Sequence, residues 1–540
     1  MDRTISSYLY ADEAQCVEGL LTSRRWDGVV AARTKKKAFD LIEKVRAEKR
    51  KAGELESFLQ QYSLTTEEGV ALMCLAEALL RIPDSATASA LIRDKVVAAN
   101  WLSGVGSSKD WVAKAAGVGL FVTSKTLDGV LSRMGEPLIR EAMIRAMRVL
   151  GTQFVLGETI EEAEMNAQKL RDKGYRLSYD MLGEGARTDD DAQHYYDSYH
   201  QAIGYIGQRR SRDNARRPGI SVKLSALHPR YKQAQAEHCL PEIMATVKRL
   251  ALHASSHQIA FMIDAEETER LELSLKIVES ILSDPMFEYW EDFGIAVQAY
   301  QKRALPLINR LAELLRKNKR RMQIRLVKGA YWDREIKRAQ VLGLEDYPVF
   351  TRKVNTDLSY QACAARLFEN PGLFHPMFGT HNAQTIAAIL ELARDNNYGF
   401  ELQRLYGMGE ALFDVVQREE QAQVSIYAPV GAHNDLLPYL VRRLLENGAN
   451  TSFVNKILNP KTPVQQLAQD PVAAAKESKA KRHPLIVLPK DIYKQDIYGS
   501  GRVNSSGMDL DDPAVSGPLL RYITTAKIPS EAAPLIGGKA

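Results

Sequence analysis

The sequence predicts an α/β protein whose main unit is a closed barrel of eight parallel strands, each followed by a helix. Three observations lead to this prediction. Short apolar, β-prone segments recur about every 30 to 45 residues between positions 176 and 431. Helical periodicity fills the intervals between them, which is typical of a parallel sheet. There are eight such segments, and eight strand–helix units close a barrel.

The predicted strands follow one another along the central part of the chain. They are 176–182, 219–227, 258–267, 293–300, 323–331, 375–382, 399–409 and 423–431. An open, doubly wound sheet is the alternative architecture. Such a sheet usually carries a glycine-rich phosphate turn after its first strand, and no such turn follows the first segment here.

Helices are predicted before the barrel. Residues 1–60 form a helical arm whose Phe39, Ile42 and Val45 fall at helical spacing beside a lysine- and arginine-rich face. That face is a candidate for a nucleic-acid or membrane contact. A solvated helix face is the favoured interpretation, because acidic residues interrupt the positive charge.

The domain organisation follows from the same patterns. Residues 61–135 are predicted to form an all-α domain without a catalytic constellation, and residues 136–458 hold the barrel. Residues 459–540 are rich in proline, glycine and serine, which predicts an extended, loop-rich segment.

Composition limits the class of protein. A chain of 540 residues is too long for a single core. Its four cysteines form no CxxC pair, which indicates a reducing compartment without disulfides. No signal peptide or membrane-length apolar run is visible. The expected location is therefore cytoplasmic, and the net charge of +5 leaves a peripheral contact with the inner face of the membrane open.

Residues 322–333, MQIRLVKGAYWD, are the most informative stretch. An apolar strand body ends in Gly329 and Ala330, which leave room for a flat ligand to approach the backbone. Arg325 and Lys328 could bind the polar groups of such a ligand, and the following aromatic pair could contact its π-face. An ordinary buried strand with an aromatic cap is the equal alternative from this stretch alone.

Polar residues occur near the ends of most of the predicted strands, and the ends of barrel strands converge on one mouth. These residues are Lys223, Asp264, Gln298, Arg325, Lys328, Thr380, His381, Gln403 and Tyr427. Each alone is weak, since a single lysine or histidine in a strand is usually structural. Their shared position predicts a polar site at the mouth.

The helix after the eighth strand carries adjacent arginines. Tyr439, Arg442, Arg443 and Glu446 share one helix face. Two arginines side by side can form a double fork onto one carboxylate. A surface arginine pair bonded to Glu446 or solvent is the alternative.

No metal site is predicted. His253 and His257 are spaced i, i+4 but belong to the helix before the third strand, which ends at the bottom of the barrel. Structural histidines are the better interpretation.

Several segments together resemble a known family. They are SVKLSALHPRY, FMIDAEE, VQAY, RLVKGAYWD, TRKVNTDLSY, GTHN, ELQRLYGMGE, IYAPVG and YLVRRLLENGAN. In collinear order, over about residues 60–510, they resemble the proline dehydrogenase domain of the bifunctional bacterial proline utilisation A flavoenzymes. The segment LPKDIYKQDIYGSGRVNSSGMDL resembles the connector that leads into that family's aldehyde dehydrogenase half.

The resemblance implies oxidation of L-proline to Δ1-pyrroline-5-carboxylate by a noncovalent FAD, with electrons passed to a membrane quinone. This is the first step of proline catabolism to glutamate. The matching positions expected around the substrate are Lys223, Asp264, Leu405, Tyr427, Tyr439, Arg442 and Arg443. Those expected around FAD are Gln298, Arg325 (near flavin N5), Val327, Lys328, Gly329, Ala330, Tyr331, Trp332, Thr351, Lys353, Thr380, His381, Asn382, Gln403, Leu405 and Glu446.

Two other functions remain open at this stage. One is a barrel hydrolase or lyase that uses Asp264 and Lys223. The other is a binding module whose basic arm holds a membrane or nucleic acid. The resemblance favours no nucleic-acid partner, since the ribbon-helix-helix segment of some family members is absent from this sequence. It implies an aldehyde dehydrogenase half in the parent chain and leaves a homo-oligomer open.

Overall fold

The barrel prediction is confirmed by a computed structural model that describes residues 3–23, 28–49, 87, 154–209, 217–396, 399–431, 439, 453–493, 504–527, 533–534 and 536–539. Eight strands form one closed sheet in sequence order, and each pairs in parallel with the next until β8 pairs with β1. The strands are β1 Arg176–Met181, β2 Gly219–Val222, β3 Ala260–Ile263, β4 Phe293–Gln298, β5 Met322–Val327, β6 Phe374–Gly379, β7 Glu401–Leu405 and β8 Val424–Val430.

Helices precede the barrel, alternate with its strands and follow it. Before the barrel are α1 Arg3–Ser6, α2 Glu13–Thr22 and α3 Gly28–Lys49. Around it are α4 Ile160–Asp172, α5 Asp189–Gln208, α6 Ala236–Ser256, α7 Leu271–Leu282, α8 Ala304–Asn318, α9 Trp332–Leu342, α10 Lys353–Phe368, α11 Ala383–Asn396 and α12 Glu410–Glu420. Helix α13 Phe453–Leu458 follows β8, and the predicted loop-rich region contains α14 Val464–Leu467, α15 Pro471–Glu477 and α16 Pro513–Thr525.

The core lies between the strands and the helices outside them. Helix α8 shows why these sequences fold this way: Leu307, Ile308, Leu311 and Leu315 fall on one face and are all buried. Truncating one such side chain to alanine typically costs about 2–5 kcal/mol. Lys319 ends this helix in the left-handed conformation. This packing fixes the strands, so the positions at the strand ends are rigid.

Strands β2 and β3 end one residue before two of the predicted site residues. Lys223 follows β2 and leads into a 3₁₀ turn at Leu224–Ala226. Asp264 follows β3, and its N–H donates to the carbonyl of Val222 at 2.9 Å. Both side chains therefore start from the carboxyl end of the barrel, where a site in this fold belongs.

The interpretation of the basic arm face as simply solvated is wrong for part of that face. Helix α3 packs on α11 and α12 and buries Ala38, Leu41, Ile42 and Val45. Its basic residues bind acidic residues of those two helices. The pairs are Arg33 with Glu391 at 2.8 Å, Lys37 with Glu420 at 2.7 Å, and Lys44 with Glu419. These partners lie so far along the chain that charge interruption within the arm could not reveal them.

A second contact ties helix α2 of the arm and the segment at His483 to the barrel. Glu13 of α2 is fully buried, and its carboxylate accepts hydrogen bonds from the N–H of Thr351 at 2.9 Å and its hydroxyl at 2.7 Å. It also accepts one from the side chain of Asn355 at 2.7 Å. The N–H of His483, from the C-terminal region, donates to the Thr351 hydroxyl at 2.8 Å.

The amino end of the barrel holds a cavity of about 260 Å³. Its wall includes Arg176, Arg217, Glu291, Asp292, Arg321, Met322, Gln323, His375 and Gln423. The three arginines are paired: Arg176 with Glu401 at 3.0 Å, Arg217 with Asp292 at 2.5 Å, and Arg321 with Glu291 at 3.1 Å. Each of the arginines that line this cavity therefore has an acidic partner.

His253 lies in the last turn of α6 and stacks on His200 of α5 with ring centroids 4.1 Å apart, while His257 follows as the residue that caps the helix. Among the described residues, no helix is long and apolar enough to span a bilayer. The predicted all-α domain at 61–135 falls outside the described residues apart from position 87.

Candidate active site

The guanidinium of Arg325 crosses the barrel interior to three other strands or their ends. Its Nη1 lies 2.6 Å from Oδ1 of Asp264. Its Nη2 donates to the hydroxyls of Ser178 in β1 at 3.0 Å and Ser221 in β2 at 2.9 Å. The residue is almost fully buried, so this cation is held in a defined position inside the mouth.

Asp264 is the centre of the polar cluster. Its Oδ2 accepts a hydrogen bond from the Tyr427 hydroxyl at 2.6 Å and lies 3.6 Å from the Lys223 ammonium. The Arg325 guanidinium also lies 5.0 Å from the centre of the Tyr427 ring. Burial raises the pKa of Tyr427 well above its usual value, and neighbouring carboxylates add to that shift. Tyr427 is therefore a neutral donor to the carboxylate at physiological pH.

Lys223 lies between two carboxylates. Its Nζ is 2.5 Å from Oδ1 of Asp180 in β1, closer than the 3.6 Å to Asp264. Burial alone would lower the pKa of this lysine, but Asp180 and Asp264 reverse that effect, with a contribution from Tyr427, and raise it well above its ordinary value. The ammonium is consequently charged at any pH in the physiological range.

Two glutamines extend the site along the strand ends. The side-chain amide of Gln298 donates to the carbonyl of Glu266 at 2.8 Å, and its oxygen accepts from the N–H of Ala330 at 3.3 Å. The amide of Gln403 donates to the Ser425 hydroxyl at 3.0 Å. Gln298 thus links the end of β4 to the loop after β3 through Glu266 and to the loop after β5 through Ala330.

The loop after β5 has a backbone that favours glycine. Gly329 has φ +136, and a Cβ at this position would lie 2.5 Å from ring atoms of Tyr300. Gly329 and Ala330 are exposed, while Val327 and Lys328 are half-buried at the strand end. The loop therefore exposes its backbone to solvent beyond the end of β5.

Lys328 belongs to a charged cluster beside that loop. It binds Asp357 of α10 and lies 3.3 Å from the Thr385 hydroxyl of α11. Lys353 lies 2.9 Å from the other oxygen of Asp357. The pKa of Lys328 is lowered to about 8, chiefly by burial; Asp357 opposes this shift and the nearby Lys353 contributes to it. Two cations with one shared carboxylate leave a net positive charge here.

The turn from β6 into α11 orders three predicted residues. The N–H of Asn382 donates to the Thr380 hydroxyl at 3.2 Å, and the Asn382 side chain accepts from the N–H of Thr385 at 3.1 Å, which caps α11. The N–H of Leu405 donates to Nε2 of His381 at 3.1 Å. The amino end of α11 thus lies beside the lysine cluster, and both favour an anion.

Leu405 and Tyr439 share an apolar cluster with Phe154, Val155 and Met408. Tyr439 is buried within it. Arg442, Arg443 and Glu446, which the sequence places on the same helix face as Tyr439, lie outside the described residues.

Three further predicted cofactor residues, Tyr331, Trp332 and Thr351, lie between β5 and α10. Thr351 donates its hydroxyl to Glu13 and accepts from His483, so this hydroxyl is engaged within the protein. The indole N–H of Trp332 donates to the carbonyl of Phe350 at 2.8 Å. Tyr331 precedes Trp332 and is half-buried.

Sequence reasoning missed Asp180, Ser178 and Ser221, which contact Arg325 or Lys223. The available signal was parity: positions 178 and 180 share one face of β1, and 221 and 223 share one face along β2. Asp357 was also missed, because it lies in a helix with no strand pattern.

Two family models match this chain, and one of them covers the barrel. A family model described as Proline dehydrogenase matches residues 163–456. A second, described as the DNA-binding domain of Proline dehydrogenase, matches residues 54–154. The structure describes hardly any of the latter region, and the expectation that the chain has no nucleic-acid partner stays a prediction.

Individual relatives agree with the first model. The chain is 49% identical over 527 residues to the Bifunctional protein PutA of Escherichia coli, covering 92% of this chain and 40% of that protein. It is 26% identical over 322 residues to Proline dehydrogenase 1 of Bacillus subtilis, covering 59% of this chain and 94% of that protein. A crystal structure of a Bradyrhizobium japonicum Proline Utilization A mutant superimposes with TM-score 0.75 at 42% identity, covering 96% of this chain and 53% of that one. The chain spans about two fifths of the length of the bifunctional relatives.

Proposed function

Since the chain belongs to the proline dehydrogenase family, we propose that it oxidises L-proline to Δ1-pyrroline-5-carboxylate at the carboxyl end of the barrel. The observation that carries the proposal is the buried cluster of Arg325, Asp264, Lys223 and Tyr427 at this mouth. It brings two cations and a neutral phenol within 3.6 Å of one carboxylate, that of Asp264. Such a cluster suits a small zwitterion, which has both charges to be matched.

We infer that the cofactor is FAD, and the donor set fits this group. Lys328, Lys353 and the capped start of α11 supply positive charge for a diphosphate. Gly329 and Ala330 are exposed, so a flat ring system can approach their backbone. When bound, FAD supplies the two-electron acceptor for the hydride that leaves the ring carbon next to the proline nitrogen.

The protein's own residues bind and orient the substrate in this proposal. Arg442 and Arg443, which the family resemblance assigns to the substrate site, bind the substrate carboxylate with both guanidinium groups. Lys223 adds a third cation, and Asp264 with Tyr427 faces the amine. Leu405 and the apolar cluster around Tyr439 exclude water from the ring.

The proposal extends to partners by the same family argument. We infer that electrons pass on to a membrane quinone and that the parent chain carries an aldehyde dehydrogenase half, which takes the product towards glutamate. A homo-oligomer and peripheral membrane attachment remain expectations of the sequence.

The competing function is a hydrolase or lyase that uses Asp264 and Lys223 without a flavin. The absorption spectrum of the purified protein separates the two. We expect the two absorption bands of an oxidised flavin, and we expect L-proline to bleach them in the absence of oxygen. Glycine, which lacks the ring, is the control. A correctly folded protein that is colourless and retains no flavin after incubation with FAD and removal of the free cofactor would contradict the proposal.

A further inference from the structure

Asp180 is a buried acid that directly contacts the polar cluster and that no sequence argument singled out. It lies in β1 with 1% of its surface exposed. Its Oδ1 is 2.5 Å from the Lys223 ammonium. Its Oδ2 is also buried and has no hydrogen-bond partner among the described residues. Burying a carboxylate with only one of its two oxygens bonded costs free energy. The ammonium of Lys223 must therefore compensate the negative charge of Asp180.

The two carboxylates near Lys223 differ in their other contacts. Asp264 is shared, because Arg325 lies 2.6 Å from one of its oxygens and the Tyr427 hydroxyl 2.6 Å from the other. Asp180 has Lys223 as its cationic partner at 2.5 Å. The two carboxylates therefore have different partners: Asp264 binds Arg325 and Tyr427, and Asp180 binds Lys223.

We propose that Asp180 is a positioning residue that holds Lys223 in its charged form at the barrel mouth, so that the ammonium can bind the substrate carboxylate. This inference rests on the proposed function. Asp180 itself lies behind the lysine, and its effect on substrate passes through Nζ of Lys223. Without Asp180, burial of the lysine is opposed by the more distant and already engaged Asp264.

The charged and titratable groups around the pair come from four elements. They are Asp264 after β3, Arg325 in β5, Tyr427 in β8 and Tyr199 in α5, whose hydroxyl accepts the backbone N–H of Lys223 at 3.2 Å. Burial raises the pKa of both tyrosines above their usual value. They are neutral throughout the working range, and Arg325 is permanently charged. Loss of Asp180 therefore leaves Lys223 as the group whose charge changes.

The test is the pH dependence of ligand binding in Asp180→Asn, which keeps the shape and removes the charge. The probe is tetrahydrofuran-2-carboxylate, a ring of proline's size that has the carboxylate but no amine. Calorimetry of the flavin-loaded protein between pH 7 and 9.5 gives its Kd. We expect the wild-type Kd to be constant over this range. In Asp180→Asn the Kd should rise by about tenfold relative to wild type at a pH one unit above the lowered pKa of Lys223. At that pH about nine tenths of the lysine side chains have lost their charge.

Steady-state kinetics provide a second readout. In Asp180→Asn the KM for proline should rise with pH by a similar factor relative to wild type, while kcat at saturation changes less. Combining Asp180→Asn with Lys223→Met should abolish the variant's extra pH dependence, because the titrating group is gone. Asp180→Glu, which restores a carboxylate, should recover part of the wild-type profile.

The outcomes separate this inference from the proposed function. A folded Asp180→Asn whose Kd and KM follow the wild-type pH profile assigns Asp180 a structural role and overturns the inference while proline oxidation stands. A wild-type protein that binds the probe but does not oxidise proline contradicts the function, and the binding comparison still judges Asp180. If the asparagine variant does not fold, Asp180→Ser, which leaves room for water, takes its place in the same comparison.

Discussion

Arg325 in β5 and Asp264 after β3 form a salt bridge of 2.6 Å inside the barrel mouth. The same guanidinium is anchored by two serine hydroxyls, and its Nε is buried without a partner among the described residues. A buried donor that the protein itself leaves unused is available to a ligand atom. This relationship leads to the first prediction.

Replacing Arg325 with methionine should lower the midpoint potential of the bound flavin and reduce FAD retention, because a nearby cation favours the more negatively charged reduced state. The expected change is about 30–65 mV, the two-electron equivalent of the roughly 1.5–3 kcal/mol from a hydrogen bond to a charged group. Spectroelectrochemistry measures the potential. Arg325→Lys, which keeps the charge, is the control, and an unchanged potential in the methionine variant argues against a position near the flavin.

Arg442→Met or Arg443→Met should mainly raise the KM for proline, because a carboxylate contact exists in both the ground state and the transition state. The loss of one fork should cost about 2–5 kcal/mol, as for a desolvated charge pair. FAD content should stay near wild type. Loss of turnover at unchanged KM would instead assign these arginines to the chemical step, and wild-type kinetics would return them to a surface pair.

FAD binding should weaken as pH rises through the pKa of Lys328, which burial lowers to about 8. The ammonium is charged below this pH and loses its charge above it, so attraction for a diphosphate falls. Between pH 7 and 9 we expect the Kd to rise by about tenfold, because a lysine with a pKa near 8 is about nine-tenths charged at pH 7 and about one-tenth charged at pH 9. Flavin fluorescence quenching measures it.

Lys328→Met should weaken binding at pH 7 and remove most of this pH dependence. Lys353→Met is the matched control: it removes the other cation on Asp357 but leaves Lys328 to titrate. Equal pH slopes for wild type and Lys328→Met would contradict the assignment.

At the opposite end of the barrel, Arg176→Met should destabilise the fold without changing proline oxidation. It leaves the fully buried Glu401 without its cation, and one oxygen of Glu401 already has no hydrogen-bond partner among the described residues. Removing one partner of a buried ion pair costs about 3–5 kcal/mol. Thermal unfolding measures the effect.

The double variant Arg176→Met with Glu401→Leu should recover much of the lost stability, since no isolated charge remains. Arg321→Met is the control, because its pair with Glu291 is exposed and such pairs contribute about 0–1 kcal/mol. An effect of Arg176→Met no larger than the control would rule out this account.

Glu13→Gln should loosen the N-terminal arm. The buried carboxylate accepts three hydrogen bonds, and an amide can accept with only one of its two terminal atoms. We expect a loss of about 2–4 kcal/mol from charge-assisted bonds, and faster tryptic cleavage near residues 35–37. Glu18→Gln, in the same helix but exposed, should leave the cleavage rate unchanged.

The sequence was a good guide to the barrel because strand periodicity and length are local properties. Every predicted strand overlaps an observed one, although β2 stops at Val222 where 219–227 was predicted. The reason is the 3₁₀ turn that begins after Lys223, and a short turn has no periodicity to detect. Asp180 was missed because its importance comes from a lysine on the neighbouring strand.

The arm shows the other limit of sequence reasoning. The apolar face of α3 was visible in the spacing of Phe39, Ile42 and Val45. The partners of its basic residues were not, since Glu391 lies 358 positions after Arg33 and Glu420 lies 383 after Lys37. Only the closed barrel brings such positions together.

That separation has a consequence for how the protein is made. The arm leaves the ribosome before the barrel, and the residues on α11 and α12 that pair with it are synthesised more than 350 residues later. At typical translation rates this delay is about 20–70 s. Throughout it, Ala38, Leu41 and Ile42 have no native surface to bury against. A nascent chain of this protein therefore presents a basic, half-apolar helix until those later helices have been synthesised, as a chaperone client does.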